Sequence, residues 1–374
     1  MHRTEETGTS VATVQVMKPL LPSAASIMTY MQRIDETRIY SNYGPLWREF
    51  RDGLRAWLGG RVSSTNLDVV VTSSGTTAIE LALRARTHES GGTCLMPAYT
   101  FIASAHAVSN AGLDPFLTDV DPDSLTITPE IAVAALEILP SKPAAILVVS
   151  AFGAPPDLDA WESFETEYGV PVVVDAAAAA TSLRTISRVP ICLSLHATKV
   201  LGIGEGGAIL TTDDSLAATL NAMTGFGFVG PQRESAIRGG NYRISEYSSA
   251  VGLAALDEIA AKEQRLLALA GAYAAQLAED AVVLQEGVGT AWTSSTFNVR
   301  LSADRVAPTL DLMTRSGIEW RRWWGYGTHK HPAFGHLPRA PLIWTDDIAA
   351  RVIGIPFHET LTPTEVERVV ACLR

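Results

Sequence analysis

Short β-branched segments alternate with Ala- and Leu-rich segments from about residue 45 to residue 215 of this chain. The clearest strand candidates are residues 67–72, 145–150 and 172–175. Buried strands of this kind, separated by helices, form a mostly parallel sheet whose faces are covered by those helices. The alternation therefore predicts an α/β domain over this part of the chain.

The sequence becomes helical after Ser245. Four apolar residues there are spaced to form one stripe along a long helix that joins two domains: Leu253, Leu256, Ala260 and Leu267. Further on, strand candidates near 296–301 and 352–356 flank two helical stretches, which is typical of a small α+β domain. We therefore expect a large domain over residues 1–250 and a small domain over residues 251–374.

The composition limits the classes of partner. The formal net charge is −11 and the pI is near 5.2, which argues against a surface that neutralises nucleic-acid phosphates. The apolar runs are too short to cross a bilayer, and the first residues, with Glu5 and Glu6, lack the apolar core of a signal peptide. We expect a cytoplasmic protein with small-molecule partners, bound neither to a membrane nor to nucleic acid.

The cysteines fit the same expectation. Cys94, Cys192 and Cys372 are odd in number and have no CxxC spacing. They indicate neither a disulfide framework nor a zinc site, and a reducing compartment suits them.

The segment LDVVVTSSGTTAIELAL passes from a strand through a small polar turn into a helix. The backbone N–H groups of Gly75, Thr76 and Thr77 would point outward at the helix start, where they could bind a phosphate. The alternative is an ordinary helix start capped by Ser73 or Ser74. This segment alone does not decide between the two interpretations.

A second segment, SLHATKVLGIGEGGAIL, places Lys199 before a cluster of glycines. A lysine among small and apolar residues loses hydration, which lowers its pKa and favours a nucleophilic amine suited to Schiff-base chemistry. The alternative is a surface lysine followed by a glycine loop. A dinucleotide-binding fingerprint is excluded by context, because these glycines precede the strand-like AILTT, whereas a fingerprint follows a strand and opens a helix.

A third residue, Asp175, ends the strand candidate VPVVVD and would lie at the carboxyl edge of the sheet, where α/β folds bind ligands. A carboxylate there can keep a pyridine nitrogen protonated, as pyridoxal chemistry requires. The alternative role is a helix cap for the Ala-rich segment that follows.

Together these segments resemble the DegT and StrS type sugar aminotransferases, a branch of the fold-type I pyridoxal-phosphate enzymes. The resemblance covers nearly the whole chain. The matching segments, in order, are SNYGPL, SSGTTAIELAL, PAYTFIASAHAV, DPFLTDVDPDSL, VVVDAA, SLHATK with GEGG, GGNYRISEYSSAVGL, and GIEWRRWW before HKHPAF. It implies a fold-type I architecture: a large domain with a mostly parallel central sheet flanked by helices, and a small α+β carboxyl-terminal domain.

The resemblance also assigns catalytic and cofactor-binding roles. It implies that Lys199 holds pyridoxal 5'-phosphate covalently and shuttles a proton, while Asp175 pairs with the ring nitrogen. It implies that Phe101 stacks on the cofactor face, the alternative being a core phenylalanine. The residues expected at the cofactor phosphate are Gly75, Thr76, Thr77, Ser194 and Asn241. Asn241 would reach across from a second subunit, so a homodimer with shared active sites is implied.

One position departs from the family pattern. The family usually has Gln or His three residues after the ring-nitrogen aspartate, and here that position is Ala178. Alanine cannot donate a hydrogen bond, so either another group replaces it or the cofactor's proton equilibria differ from those of the family.

Basic and aromatic residues concentrate in GIEWRRWWGYGTHKHPAF, within an otherwise acidic chain. Guanidinium groups bind phosphate oxygens and aromatic rings stack on sugars or bases, so this segment suits a nucleotide-activated hexose. The candidate substrate-binding residues are Arg321, Trp323 and His329. The alternative is a surface arginine pair beside core tryptophans. No cysteine or carboxylate completes a metal set with the nearby histidines, so no metal is expected.

We therefore expect an aminotransferase that moves an amino group from an amino acid, L-glutamate, to a 4-keto or 3-keto group of a dTDP-linked deoxyhexose. Such a reaction serves polysaccharide or antibiotic biosynthesis. Three alternatives remain: amination of a cyclitol or other cyclic ketone, dehydration of a sugar, which Lys199 disfavours, and a non-catalytic sensor with this fold.

Overall fold

A seven-stranded sheet forms the centre of the large domain in a computed structural model that describes residues 13–63, 66–88, 91–277 and 282–374. Glu5 and Glu6 lie outside the described residues. The strands are β1 (Asp68–Thr72), β2 (Thr93–Pro97), β3 (Asp114–Thr118), β4 (Ala145–Val149), β5 (Val172–Asp175), β6 (Ile191–Ser194) and β7 (Gly207–Thr211).

The strand order is β1-β7-β6-β5-β4-β2-β3. Only β7 runs antiparallel to its neighbours, so the other six strands point the same way and end at one edge of the sheet. This architecture confirms the expected fold class. The strands predicted at 67–72, 145–150 and 172–175 are confirmed within one residue at each end.

Helices cover both faces of this sheet because alternate strand residues point to opposite faces. On β5, Val172 and Val174 belong to one buried cluster and Val173 belongs to another. The helices of the large domain are α1 (Ala24–Thr37), α2 (Pro45–Gly59), α3 (Gly75–Thr87), α4 (Ala103–Asn110), α5 (Pro129–Ile138), α6 (Leu158–Tyr168) and α7 (Asp214–Thr224). A short hairpin of β8 (Phe228–Val229) and β9 (Glu234–Ser235) follows α7.

The long helix expected after Ser245 is α8 (Glu246–Leu277), with 32 residues. The predicted apolar stripe is partly wrong: Leu253 is buried, but Ala260 and Leu267 are exposed. The buried face of the second half lies on another side of the helix, because successive parts of α8 pack against different neighbours. The buried residues of the second half are instead Ile259, Leu266, Ala270, Tyr273 and Leu277.

The small domain is built on a three-stranded antiparallel sheet of β10 (Val282–Val283), β11 (Phe297–Leu301) and β12 (Val352–Ile355). Its helices are α9 (Ala303–Arg315), α10 (Ile343–Arg351) and α11 (Pro363–Leu373). The strands predicted near 296–301 and 352–356 are therefore confirmed. Within the described ranges, no helix combines the length and apolar character needed to cross a membrane.

Backbone pairing crosses the expected domain boundary. Val14 pairs with Ile318 of the carboxyl-terminal half, and Arg339 pairs with Leu117 at the edge of β3. The boundary between residues 250 and 251, which stays a prediction, falls within the first turns of α8.

Candidate active site

The turn between β1 and α3 lies at the edge where the parallel strands end. Ser74 caps α3, because its Oγ accepts a hydrogen bond from the Thr77 N–H at 3.1 Å. The expected helix cap is thus present, and it leaves the amides of Gly75 and Thr76 without an acceptor among the described residues. These two N–H groups at a helix N-terminus remain available for an anion.

Two glycines let this turn lie directly against the end of β6 and the start of β7. A Cβ on Gly75 would lie 2.9 Å from the Cβ of Ser194, and a Cβ on Gly207 would clash with the carbonyl oxygen of Ser74. Any side chain at either position would push the turn away from the strands. The structure therefore brings Gly75, Thr76, Thr77 and Ser194 together, as the predicted phosphate site requires.

Lys199 lies on the loop that connects the antiparallel strands β6 and β7. The loop is closed by hydrogen bonds from the Ala197 N–H to the Gly204 carbonyl at 2.8 Å and from the Ile203 N–H to the Leu195 carbonyl at 2.9 Å. Gly204 has a φ of +94°, a conformation that L side chains rarely adopt. Glycine is therefore needed at position 204 for the conformation of the turn.

Burial lowers the pKa of the Lys199 amine, and the charge of Asp175 acts in the opposite direction. Burial is the larger effect, so the amine loses its proton more readily than an ordinary lysine. A neutral amine is the form that attacks an aldehyde.

Asp175 is the last residue of β5 and its side chain is buried, with only 6% of the residue exposed. Burial raises the pKa of this carboxyl, and hydrogen bonds from Ser104 and the Ala177 N–H, together with the charge of Lys199, act in the opposite direction. The Ala177 N–H bonds to Oδ1 at 3.1 Å, but the following residues form turns, so Asp175 caps a turn and no helix.

The two remaining cofactor candidates lie at the surface of the chain. Phe101, between β2 and α4, is 54% exposed, so the core alternative is wrong. Asn241 is also exposed, and its Oδ1 accepts hydrogen bonds from the guanidinium of Arg243 at 3.1 and 2.9 Å. Both side chains are accessible to a ligand or a second subunit.

Ala178 lies in the turn after Asp175. Its carbonyl oxygen accepts a hydrogen bond from Ser294 Oγ at 2.9 Å. This bond ties the turn to the segment that precedes β11, and the methyl side chain itself contributes no donor.

The basic and aromatic segment divides into packed and exposed residues. Trp324 is partly buried and stacks on Phe152 with ring centroids 3.9 Å apart, so it packs against the interior. Arg321 is exposed, pairs through its backbone with Gly354 of β12, and holds its guanidinium 5.1 Å from the Trp323 ring centroid. A substrate role for Arg321 and Trp323 stays a prediction.

His329 is buried, and its Nε2 lies 3.0 Å from Asp346 Oδ1 at the start of α10. Burial lowers its pKa, while the hydrogen bond to Asp346 acts in the opposite direction. Its Nε2–H donates to the Asp346 carboxylate, which leaves Nδ1 as a buried acceptor with no hydrogen-bond partner among the described residues. Across those residues, no group of three or more His, Cys, Asp or Glu side chains is arranged to hold a metal ion.

Sequence reasoning missed one functional contact in this site. The Ser104 hydroxyl, in the first turn of α4, donates a hydrogen bond to Asp175 Oδ2 at 2.7 Å. The two residues are 71 positions apart in the chain, so no local pattern predicted the pairing. Parallel strands β2 and β5, which end at the same edge, bring them together.

Comparisons with known proteins identify the family of this chain. A family model described as the DegT/DnrJ/EryC1/StrS aminotransferase family matches residues 23–374. GDP-perosamine synthase of Caulobacter vibrioides is 29% identical over 364 residues, which is 92% of this chain and 93% of that protein.

Two solved structures have the same fold. A putative PLP-dependent aminotransferase from Bacillus cereus superposes with a TM-score of 0.88 and 25% identity, over 96% of this chain and 99% of that one. DesI, solved in the presence of its TDP-sugar product, superposes with a TM-score of 0.83 and 28% identity, over 96% and 92%. The chain therefore belongs to the DegT/DnrJ/EryC1/StrS aminotransferase family and is a pyridoxal-phosphate-dependent aminotransferase.

Proposed function

We propose that this enzyme transfers the amino group of L-glutamate to a keto group of a nucleotide-linked deoxyhexose, a 4-keto or 3-keto sugar carried on dTDP. The observation that carries the proposal is the grouping of Lys199, Asp175 and the start of α3 at one edge of the sheet. Two similar proteins also support it: one is GDP-perosamine synthase, and the other is DesI, which was solved in the presence of its TDP-sugar product.

The chain offers groups for the phosphate and the ring of the cofactor, while Ala178 supplies no donor where the family usually has Gln or His. The free amides of Gly75 and Thr76, the Thr77 side chain and the Ser194 hydroxyl would hold its phosphate, and the exposed ring of Phe101 would cover one face. Asn241 would complete the phosphate site of a second subunit in a homodimer. The bound cofactor supplies the electron sink and carries the amino group between the two substrates.

Lys199 and Asp175 would share the proton chemistry. Lys199, with its lowered pKa, would hold the cofactor covalently and then move a proton at its Nζ between substrate carbon and cofactor. Asp175 would hold the ring nitrogen in its protonated form. Arg321, Trp323 and His329 are proposed as substrate-binding groups, with the guanidinium directed to diphosphate oxygens.

The two half-reactions can be tested separately in the purified enzyme loaded with pyridoxal phosphate. Glutamate alone should bleach the visible absorption of the cofactor and release one 2-oxoglutarate per site. Adding a dTDP-linked 4-keto-6-deoxyhexose should restore the absorption and form an amino sugar identified by mass spectrometry. Assays with the GDP-linked and 3-keto analogues then show which nucleotide the enzyme prefers and which sugar carbon it aminates.

A Lys199→Ala variant is the matched control, and it should bind the cofactor reversibly, with no protein label after borohydride reduction. Borohydride treatment of the wild-type enzyme should label Lys199, found by peptide mapping. Bleaching by glutamate followed by recovery only with cyclic ketones would overturn the sugar-nucleotide assignment. An enzyme whose spectrum responds to another amino acid and not to glutamate would overturn the proposed donor.

A further inference from the structure

The Asp175 carboxylate is bonded to the protein through both of its oxygens. Ser104 Oγ donates to Oδ2 at 2.7 Å, and the Ala177 N–H donates to Oδ1 at 3.1 Å. Ser104 is fully buried, so water does not compete for its hydroxyl. The bond from position 177 comes from the backbone and does not depend on the side chain there. The bond from Ser104 depends on its hydroxyl.

A second hydroxyl continues this contact. Thr100 Oγ1 lies 2.8 Å from Ser104 Oγ, and Thr100 is also buried. A serine hydroxyl has one proton, and the Ser104 proton is directed to the carboxylate, so Thr100 must be the donor in the second bond. The three groups form one directed chain, from the Thr100 hydroxyl through the Ser104 hydroxyl to the Asp175 carboxylate, in which each bond polarises the next.

The same helical turn also bonds to the backbone of Phe101. The Ser104 N–H donates to the Phe101 carbonyl at 3.0 Å, so the backbone that carries the exposed ring is bonded to the residue that holds Asp175. The Phe101 backbone and the Asp175 carboxylate thus both bond to Ser104, although Phe101 follows β2 and Asp175 ends β5.

We infer that Ser104, supported by Thr100, is a positioning residue that holds Asp175 as an oriented carboxylate for the ring nitrogen of the cofactor. This inference rests on the proposed role of Asp175. A hydroxyl donating to a carboxylate stabilises its charged form, which offsets the burial that favours the neutral acid. Without Ser104, Asp175 would bind a protonated ring nitrogen less strongly and in a less defined orientation.

The test is equilibrium binding of two ligands to the cofactor-free enzyme: pyridoxal phosphate and its 1-deaza analogue, in which a CH group replaces the ring nitrogen. Wild-type enzyme should bind the natural cofactor more tightly than the analogue. Ser104→Ala should weaken binding of pyridoxal phosphate by about 10-fold or more, as expected for loss of a hydrogen bond to a charged group, and leave binding of the analogue nearly unchanged.

Three further variants separate positioning from packing. Ser104→Thr, which keeps the hydroxyl, should retain the preference for pyridoxal phosphate. Thr100→Val, which removes only the outer hydroxyl, should reduce the preference by a smaller factor than Ser104→Ala. In Asp175→Asn enzyme, adding Ser104→Ala should cause little further loss, because the two residues act as a unit.

Each outcome decides the inference. If Ser104→Ala weakens the binding of both ligands equally, Ser104 has a packing role and the inference is overturned. The inference is also overturned if Ser104→Ala changes the binding of neither ligand. If Ser104→Ala does not fold, Thr100→Val decides, and an undiminished preference in that variant overturns the inference. If wild-type enzyme itself binds the two ligands equally well, the proposed role of Asp175 fails as well. This result distinguishes failure of the Asp175 role from failure of the Ser104 inference alone.

Discussion

At the scale of single residues, the site combines a buried amine with a buried carboxylate. Burial lowers the Lys199 pKa, and Asp175 raises it. Because the neutral amine is the reactive form, capture of pyridoxal phosphate by cofactor-free enzyme should slow as the pH falls through the Lys199 pKa, at a pH below the ordinary lysine range. Stopped-flow absorbance across a pH series measures this rate.

Asp175→Asn provides the paired comparison. Removing the negative charge removes the effect that raises the Lys199 pKa, so the rate profile should move to lower pH. A profile that is identical in the two proteins, or one centred at the pH of a surface lysine, would contradict the electrostatic coupling of these residues.

At the scale of secondary-structure elements, the start of α2 is capped by the first residue of α8. Gly44, the N-cap of α2, has no side chain, and both oxygens of the buried Glu246 accept backbone N–H bonds at 2.8 Å, from Leu46 and Trp47. Glu246→Ala would leave these two donors buried without partners and should lower the free energy of unfolding by about 2–3 kcal/mol, measured by urea titration.

Glu258→Ala is the control on the same helix. Glu258 is exposed, so its removal should change the free energy of unfolding by less than about 0.5 kcal/mol. Equal stability of the Glu246 and Glu258 variants would show that water satisfies the α2 amides and that the bond between the helices contributes little.

At the scale of the whole molecule, the proposed homodimer shares each active site between two subunits. Lys199→Ala and Asn241→Ala remove groups that would lie in the same site but come from different chains. Mixed dimers of these two inactive variants would contain one site with both wild-type residues, so random subunit exchange should restore about a quarter of wild-type activity. Activity after exchange and sedimentation of the mixture measure this recovery.

In the control, each variant exchanges subunits with itself, and this should restore no activity. An absence of recovery in dimers that have exchanged subunits would place Asn241 in the site of its own chain. A protein that sediments as a monomer at assay concentrations while fully active would contradict the shared site altogether.

The sequence predicted the helices and strands that depend on a pattern of only a few neighbouring residues. β5 was expected at residues 172–175, and the structure has it there, because a run of β-branched residues ending in a carboxylate is a local feature. The buried stripe of α8 was partly wrong, because successive turns of a long helix pack against different neighbours, which spacing alone does not reveal.

The sequence by itself determined the α/β class, the family and the residue types that can do this chemistry, since strand runs, glycines and a lysine before them are local in the chain. Only the tertiary structure decided which side chains support them. The Ser104 bond to Asp175 and the Glu246 bonds to α2 join residues 71 and about 200 positions apart. Such pairs exist because strand order and helix packing bring distant segments to one place, and a hydrogen bond requires an approach within about 3 Å that only the folded chain provides.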